Sequence, residues 1–518
     1  MSKQRLAPRA AAHGQNYGRG VPTRDLRLAP VSPDDVVSAL AALRAEIGVP
    51  AMYPTDARAE AERAARGDLK DFRQDRRDID FVTIDPPGSL DLDQAVHVAS
   101  SGHGYIVRYA IADVAAFVSP GGALDAEVHR RGLTFYGPDS RTPLHPAVLS
   151  EGAASLLPDE DRPAVLWTIA VDSSGEISST TVTRAVVRSR ARLTYGEAQT
   201  ALDAGSAPES LTLLADVGRL RHAREQDRGG VSLAVPEQEV VRRADGAYDL
   251  ELRRTLPIEE WNAQISLLTG IAAARLMREA GVGILRTLPP AEAGDVARLR
   301  RTAAALGIDW PEQTPYAELL PRLESRRSSH AAFLNEATTL FRGAGYLAFG
   351  VPGPDGGPRV PLPADARHAA IGAEYAHVTA PLRRLVDRYG TEICLAQSAG
   401  RDAPEWALAA LPTLPATMQT AARRANTFER ACIDIVEAVL LGSRVGRQFD
   451  GVVVDTDGGA VDEHGRSRRP RGQVMLRDPA VRAAVVGTDG VELPLGERVR
   501  VTLAEASVAE RRVLFTLP

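Results

Sequence analysis

The chain has 518 residues, too many for one compact core, and its 44% hydrophobic and 25% charged residues match those of ordinary folded proteins exposed to water. No apolar run is long enough to span a bilayer or follows a charged start as a signal peptide does. Two widely separated cysteines, Cys394 and Cys432, also leave no disulfide framework or zinc-finger spacing, so a reducing cytoplasm fits best. A net charge of −5 speaks against a general nucleic-acid coat protein, but not against an enzyme that gathers positive charge locally.

Such local excesses exist. The first thirty residues carry Lys3, Arg5, Arg9, Arg19, Arg24 and Arg27 against Asp25 alone, and read as a disordered basic tail, residues 1–30. Ser32-Pro33 then reads as an N-cap followed by a first-turn proline, with Val36, Val37, Leu40, Leu43 and Ile47 at helical spacing. A second, Ala-rich helix is expected from Thr55 to Arg66, and the two make a small helical N-terminal module over 31–77. From Phe81 a strand leads into Asp85-Pro86-Pro87-Gly88-Ser89-Leu90-Asp91-Leu92-Asp93-Gln94. A buried strand at Tyr105–Ile111, a helix at Leu124–Arg131 and a Gly/Pro turn holding Tyr136 follow, then paired strands over 164–171 and 178–187. Residues 194–345 read as mostly helical, interrupted by a hairpin through 232–254. A loop over 351–366 precedes His368 and the string Tyr375-Ala376-His377-Val378-Thr379-Ala380-Pro381-Leu382-Arg383-Arg384-Leu385-Val386-Asp387. A helix from Met418 to Leu441 gives way to short strands at 449–455, 473–477, 498–504 and 512–517, the spacing of a small barrel. The expected fold is α+β: a mixed-sheet catalytic domain with surrounding helices, the N-terminal module, and a C-terminal OB-type β-barrel.

The acidic string carries the chemistry. Asp91 and Asp93 are two apart, so an extended segment sets them on one face, with Cα atoms about 7 Å apart. Carboxylates brought to ~4 Å repel by roughly 4 kcal/mol at an effective dielectric near 20, which a bound cation relieves. With no Cys or His interrupting the cluster, hard oxygen ligands point to Mg²⁺, or Mn²⁺, rather than zinc. Asp, Pro, Gly and Ser are also the vocabulary of a solvated surface turn, and only the order of the whole string separates the two. Two metals held ~3.5–4 Å apart by such a cluster can serve several hydrolyses, of phosphoester and of peptide bonds. Arg383 could grip two phosphate oxygens with its planar fork and stabilise transition-state charge, or sit at a helix start satisfied by Asp387. Basic residues Arg468, Arg469 and Arg471, in a loop between barrel strands, are placed to meet nucleic acid.

These strings, in this order, resemble the signatures of the ribonuclease II/R family of hydrolytic 3′→5′ exoribonucleases. Asp85, Asp91 and Asp93 fall on the first three acidic positions of its Asp…Asp-x-Asp-Asp motif, and Gln94 on the fourth. Ile111-Ala112-Asp113-Val114, Tyr136, Ser155-Leu156-Leu157-Pro158, Ile258-Glu259-Glu260-Trp261 and the Tyr375–Asp387 string follow in family order, so the resemblance spans roughly 78–518. It implies a catalytic domain over 78–441 and an RNA-binding barrel over 442–518. It further implies degradation of single-stranded RNA to 5′-mononucleotides, with metal ligands Asp85, Asp91, Asp93 and Gln94 and catalytic Asp93 and Arg383. RNA contacts are expected from Tyr136, stacking on a base, and from Glu429, Arg384, Arg468, Arg469 and Arg471. A monomer with no obligate protein partner and no membrane is expected. Gln94, Ala380 and Leu385 depart from the family pattern, as does the short segment before residue 78, which has no room for the usual paired cold-shock barrels. That segment points to weaker RNA affinity. Gln94 opens a rival reading, a catalytically silent RNA-binding protein of the same fold; a phosphodiesterase acting on small nucleotides is a third.

Overall fold

The computed structural model describes residues 33–67, 74–232, 237–242, 248–253, 255–324, 327–457, 469–476, 478–489 and 491–517. The basic tail and Arg466 to Arg468 of the basic loop lie outside these residues. Helices α1 (Pro33–Ile47) and α2 (Thr55–Ala65) open the chain. The strands that follow are β1 (Gln74–Asp75), β2 (Phe81–Asp85), β3 (Gln94–Ser101) and β4 (Gly104–Ala112). Next come α3 (Ala123–Arg131), the ribbon strands β5 (Phe135–Tyr136) and β6 (Arg141–Thr142), then β7 (Asp161–Val171) and β8 (Ile177–Thr194). The middle of the chain holds α4 (Tyr195–Asp203), α5 (Glu209–Asp227), β9 (Glu237–Arg242), β10 (Tyr248–Arg253), α6 (Pro257–Ala280) and β11 (Gly283–Thr287). After α7 (Ala293–Ala305), α8 (Tyr316–Leu319), α9 (Ser328–Ala337) and β12 (Gly345–Phe349) come α10 (Leu385–Ser398), α11 (Glu405–Ala410) and α12 (Leu414–Leu441). The barrel strands are β13 (Gln448–Thr456), β14 (Arg471–Leu476), β15 (Arg482–Val486), β16 (Arg498–Ser507) and β17 (Arg512–Thr516).

The central sheet runs β1-β8-β2-β3-β4-β7, and β8 also pairs with β7, so the sheet curls back on itself. The 18-residue length of β8 makes this geometry available. Its first part lies antiparallel to β7, from Val171↔Ile177 to Asp161↔Arg188, and its last part runs parallel to β2, ending at Asp85↔Thr194. Buried apolar side chains on β3, β4, β7 and β8 join those of α6 and α10 in the main core. The α+β class is as expected. The five strands β13-β14-β15-β17-β16 close a barrel, one strand more than the spacing of the sequence suggested. A further difference is strand β11 inside the stretch read as mostly helical, paired with β12, which begins at the end of that stretch. The two N-terminal helices do not share one core: α1 packs with α12 and the barrel, whereas Ala61 of α2 joins the catalytic core.

Two of the strings meet where α6 touches the segment leading to α10. Gly270 allows that approach, since a Cβ there would lie 2.0 Å from Tyr375 Cε2 and 2.6 Å from the Ala376 carbonyl oxygen. Ala376 N–H donates to the Gly270 carbonyl at 3.1 Å. Substituting Gly270→Ala forces the two backbones apart and is expected to cost about 1–3 kcal/mol. Thermal unfolding checks this; an unchanged melting temperature would contradict the close approach.

Candidate active site

The β2–β3 connection is a tight reversal followed by an extended run. Pro87 and Gly88 occupy its corner, Gly88 has φ +80°, and Ser89 N–H donates to the Pro86 carbonyl at 3.2 Å. Pro then Gly with positive φ is the sequence of a type II turn, so Asp85 is left at the strand end and the chain is sent back toward Asp91. Ser155 then clamps the run on both sides of Asp91. Its hydroxyl donates to the Leu90 carbonyl at 2.6 Å and accepts from Leu92 N–H at 3.0 Å. Leu92 is fully buried, anchoring the loop between its two flanking carboxylates.

The second half of the site arrives from the segment before α10. Asp93, 3% exposed, accepts a hydrogen bond from Leu382 N–H at 2.7 Å, and its other oxygen lies 3.4 Å from Arg383 Nε. Gln94 Nε2 donates to the Thr379 carbonyl at 2.5 Å. A carbonyl only accepts, so the amide nitrogen is the atom that must face it. The buried Asp387 accepts from Ala380 N–H at 2.6 Å and from Arg384 Nε at 2.9 Å and Nη2 at 2.8 Å. Arg384, not Arg383, therefore satisfies Asp387, which leaves Arg383 facing Asp93. Arg384, read from the sequence as an RNA contact, spends its guanidinium on this anchor. His145 holds the same segment from behind, with Nδ1 3.2 Å from the Leu382 carbonyl. Burial lowers its pKa to about 4, so the neutral ring donates.

Electrostatically the acidic residues are unequal. Burial pushes Asp93 up to about 8, with Asp387 adding to the shift and Arg383 and the Leu382 amide opposing it. Burial and the charge of Asp91 push Asp85 up to about 6, and Asp85 Oδ2 is a buried oxygen without a hydrogen-bond partner. Asp91 is neutralised by Arg141, whose Nη1 lies 2.5 Å from Asp91 Oδ1 while Nη2 lies 2.9 Å from Glu151. Arg141 and Glu151 were not expected here; the sequence carries no local signal for a partner 50 residues away. Arg141 sits opposite Tyr136 in the β5–β6 ribbon, and Tyr136 is 41% exposed. Glu429 projects exposed from α12, next to Phe428, which packs on Phe135. In the barrel Arg469 is exposed and lies 3.3 Å from Asp489, and Arg471 opens β14 with its side chain exposed; Arg468 is outside the described residues.

A mixed sheet closed by a long strand, an acidic loop met by an Arg-bearing segment, and a terminal five-stranded barrel make up the architecture. The RNB domain model matches residues 73–393, and the model for the RNase II-type exonuclease C-terminal S1 domain matches residues 447–517. The chain belongs to the RNB, or ribonuclease II/R, family. It is 26% identical to ribonuclease R of Escherichia coli (strain K12) over 488 residues, covering 87% of this chain and 58% of that protein. It is 29% identical to the human exosome complex exonuclease RRP44 over 336 residues, covering 62% of this chain and 34% of that protein. The chain thus spans about a third to three fifths of the length of these relatives. Among solved structures, the apo form of Mycoplasma genitalium RNase R superposes with a TM-score of 0.79 at 20% identity, covering 94% of this chain and 78% of that one. Yeast Ssd1, described as a pseudonuclease, superposes with a TM-score of 0.63 at 17% identity, covering 85% of this chain and 52% of that one.

Two outcomes follow from this geometry. Gln94→Glu sets a carboxylate oxygen against the Thr379 carbonyl and removes its donor, at a cost of about 1–3 kcal/mol; a melting temperature equal to that of the unaltered protein would contradict the latch. In metal-free protein, Asp93 keeps its proton when folded from about pH 4 to 8, whereas the unfolded chain releases it near 3.9. Stability conferred by that proton is present at low pH and is lost as pH rises through about 8. Asp93→Asn, measured by denaturant unfolding with chelator, should flatten the decline; parallel profiles would count against a strongly raised Asp93.

Proposed function

We propose that this chain is a divalent-metal-dependent hydrolytic 3′→5′ exoribonuclease that degrades single-stranded RNA to 5′-mononucleotides. The observation that carries the reading is the meeting of Arg383 with Asp93 beside Asp85 and Asp91, in a chain of RNB fold. Mycoplasma genitalium RNase R, similar in fold, has been solved in complexes with single-stranded and double-stranded RNA, which supports RNA as the substrate class.

The fit of a metal can be tested on the residues themselves. Among the described residues no three carboxylate, His or Cys groups are gathered for an ion. Asp93 accepts from Leu382 N–H with one oxygen and Gln94 gives its amide hydrogen to Thr379, so Asp93 Oδ2 and Gln94 Oε1 are the atoms that these two residues would offer an ion. Asp85, with its unpartnered buried oxygen, and the neighbouring Asp91 fit one hard cation, because Mg²⁺ commonly takes one or two carboxylates and completes its shell with phosphate and water. Such an ion, Mg²⁺ or Mn²⁺, would supply Lewis acidity to the phosphoryl oxygen.

The side chains supply the remainder. Arg383, 42% exposed at its side chain, is free to grip the scissile phosphate and neutralise charge as it develops. Asp93, held by Leu382 N–H on one oxygen, is placed to orient the attacking water at the oxygen facing Arg383. Tyr136 offers an exposed ring on which any base can stack. The reading includes a monomer in the cytoplasm: both cysteines are free and buried, and among the described residues no helix is long and apolar enough to cross a membrane.

The rival, an RNA-binding protein without catalysis, draws on Gln94 and on the Arg141 cation seated on Asp91. A 5′-labelled oligoribonucleotide incubated with Mg²⁺ or Mn²⁺ separates them. Stepwise shortening from the 3′ end is expected, and binding without shortening at any metal concentration would favour the rival. Arg383→Ala should lower kcat by about 10²–10³-fold. Asp93→Asn should abolish cleavage while leaving oligonucleotide affinity intact.

A further inference from the structure

The β5–β6 ribbon that carries Tyr136 has two residues in each strand, too little pairing to hold an orientation alone. Its orientation comes from α1. Arg44, in the last turn of that helix, donates to Asp139 from Nη1 at 2.9 Å and Nη2 at 2.5 Å, and to the Ser140 hydroxyl at 3.0 Å. The fork closes on the ribbon's turn, where Gly137 N–H donates to the Ser140 carbonyl at 3.0 Å. Gly137 leaves room for this fit, since a Cβ there would stand 2.8 Å from Arg44 Nη2 and 3.0 Å from the Ser140 carbonyl oxygen. Both partners are largely withdrawn from solvent, each side chain 16% exposed, so the bidentate pair is poorly screened.

The other anchor is Phe135. It is buried, meets Phe428 of α12 edge to face at 6.4 Å, and lies under the Arg424 guanidinium at 5.3 Å. Arg424 in turn donates to the carbonyl of Gly48, just past α1, and Arg44 lies over the Phe428 ring at 5.4 Å. Successive strand residues point to opposite faces, so seating Phe135 inward against α12 turns Tyr136 outward. In register with Tyr136 is Arg141, the cation on Asp91.

We propose that Arg44 is a positioning residue for RNA binding: through Asp139, α1 fixes the ribbon so that Tyr136 presents its ring to the RNA 3′ end. This rests on the reading of Tyr136 as a stacking residue. The test is binding of a fluorescent single-stranded oligoribonucleotide by the full chain, followed by anisotropy with chelator present to prevent cleavage, well below the melting temperature of every variant. Tyr136→Ala should weaken binding about tenfold. Arg44→Gln should weaken it about fivefold, Arg44→Asp more, and the exchange Arg44→Asp with Asp139→Arg should recover most of the loss. In the Tyr136→Ala background, Arg44→Gln should produce no further loss. If Tyr136→Ala binds normally, the stacking reading fails and this proposal with it. If Tyr136→Ala weakens binding but Arg44→Gln lowers only the melting temperature, or acts equally in both backgrounds, α1 is structural support alone and the proposal is overturned.

Discussion

One hydrogen bond organises the site: the Leu382 amide donating to the Asp93 carboxylate, between residues 289 positions apart. Asp93 is nearly buried, and an ion there without partners would be expelled or neutralised. The Leu382 amide and the Arg383 guanidinium make the position tenable, and the same contact fixes where Arg383 points. Gln94 to Thr379 and Asp387 to Ala380 add two more ties to the same short segment. Three side chains thus hold one stretch of backbone, and the Arg between them has little freedom left except at its exposed fork.

The charges are balanced locally, each acid in its own way. Asp91 has Arg141, Asp387 has Arg384, Asp93 is shifted toward its neutral form, and Asp85 keeps an oxygen with no partner. A fourth carboxylate in place of Gln94 would have added charge where Thr379 already presents a carbonyl. Gln94 exchanges that charge for a donor, so the site is less acidic and the Arg383 segment more firmly seated. This explains physically how the fold accommodates the departure from the family motif.

Much of this was legible in the sequence wherever the signal was local. The Phe81 strand, the Pro-Gly reversal after Asp85, and the helices at Thr55 and Leu124 all follow from periodicity and turn chemistry acting over a few residues. The β11–β12 pair was hidden because its strands are separated by three helices, and a five-residue apolar run does not announce its partner. The choice between Arg383 and Arg384 was equally hidden. They stand four and three residues before Asp387, spacings that both reach across one helical turn. Gln94 was read for its oxygen; the hydrogen bond that its nitrogen gives to the Thr379 carbonyl, from far along the chain, had no local signal. Arg141 and Ser155 carry roles that only long-range pairing confers.

The barrel and the site are not mechanically separate. Helix α12, 28 residues and so about 42 Å long, contributes Phe428 to the seat of Phe135 and, about two and a half turns on, Glu437 to the barrel, where its carboxylate accepts from Arg482 N–H at 3.0 Å. Leu40 and Leu43 of α1, Phe135 of the ribbon, and Val453 and Phe515 of the barrel all belong to one apolar cluster. Close-packed interiors transmit displacement rather than absorb it. The ribbon that carries Tyr136 is thus seated on a helix that also packs into the barrel, and α1, α12 and the barrel share the apolar cluster that holds Phe135.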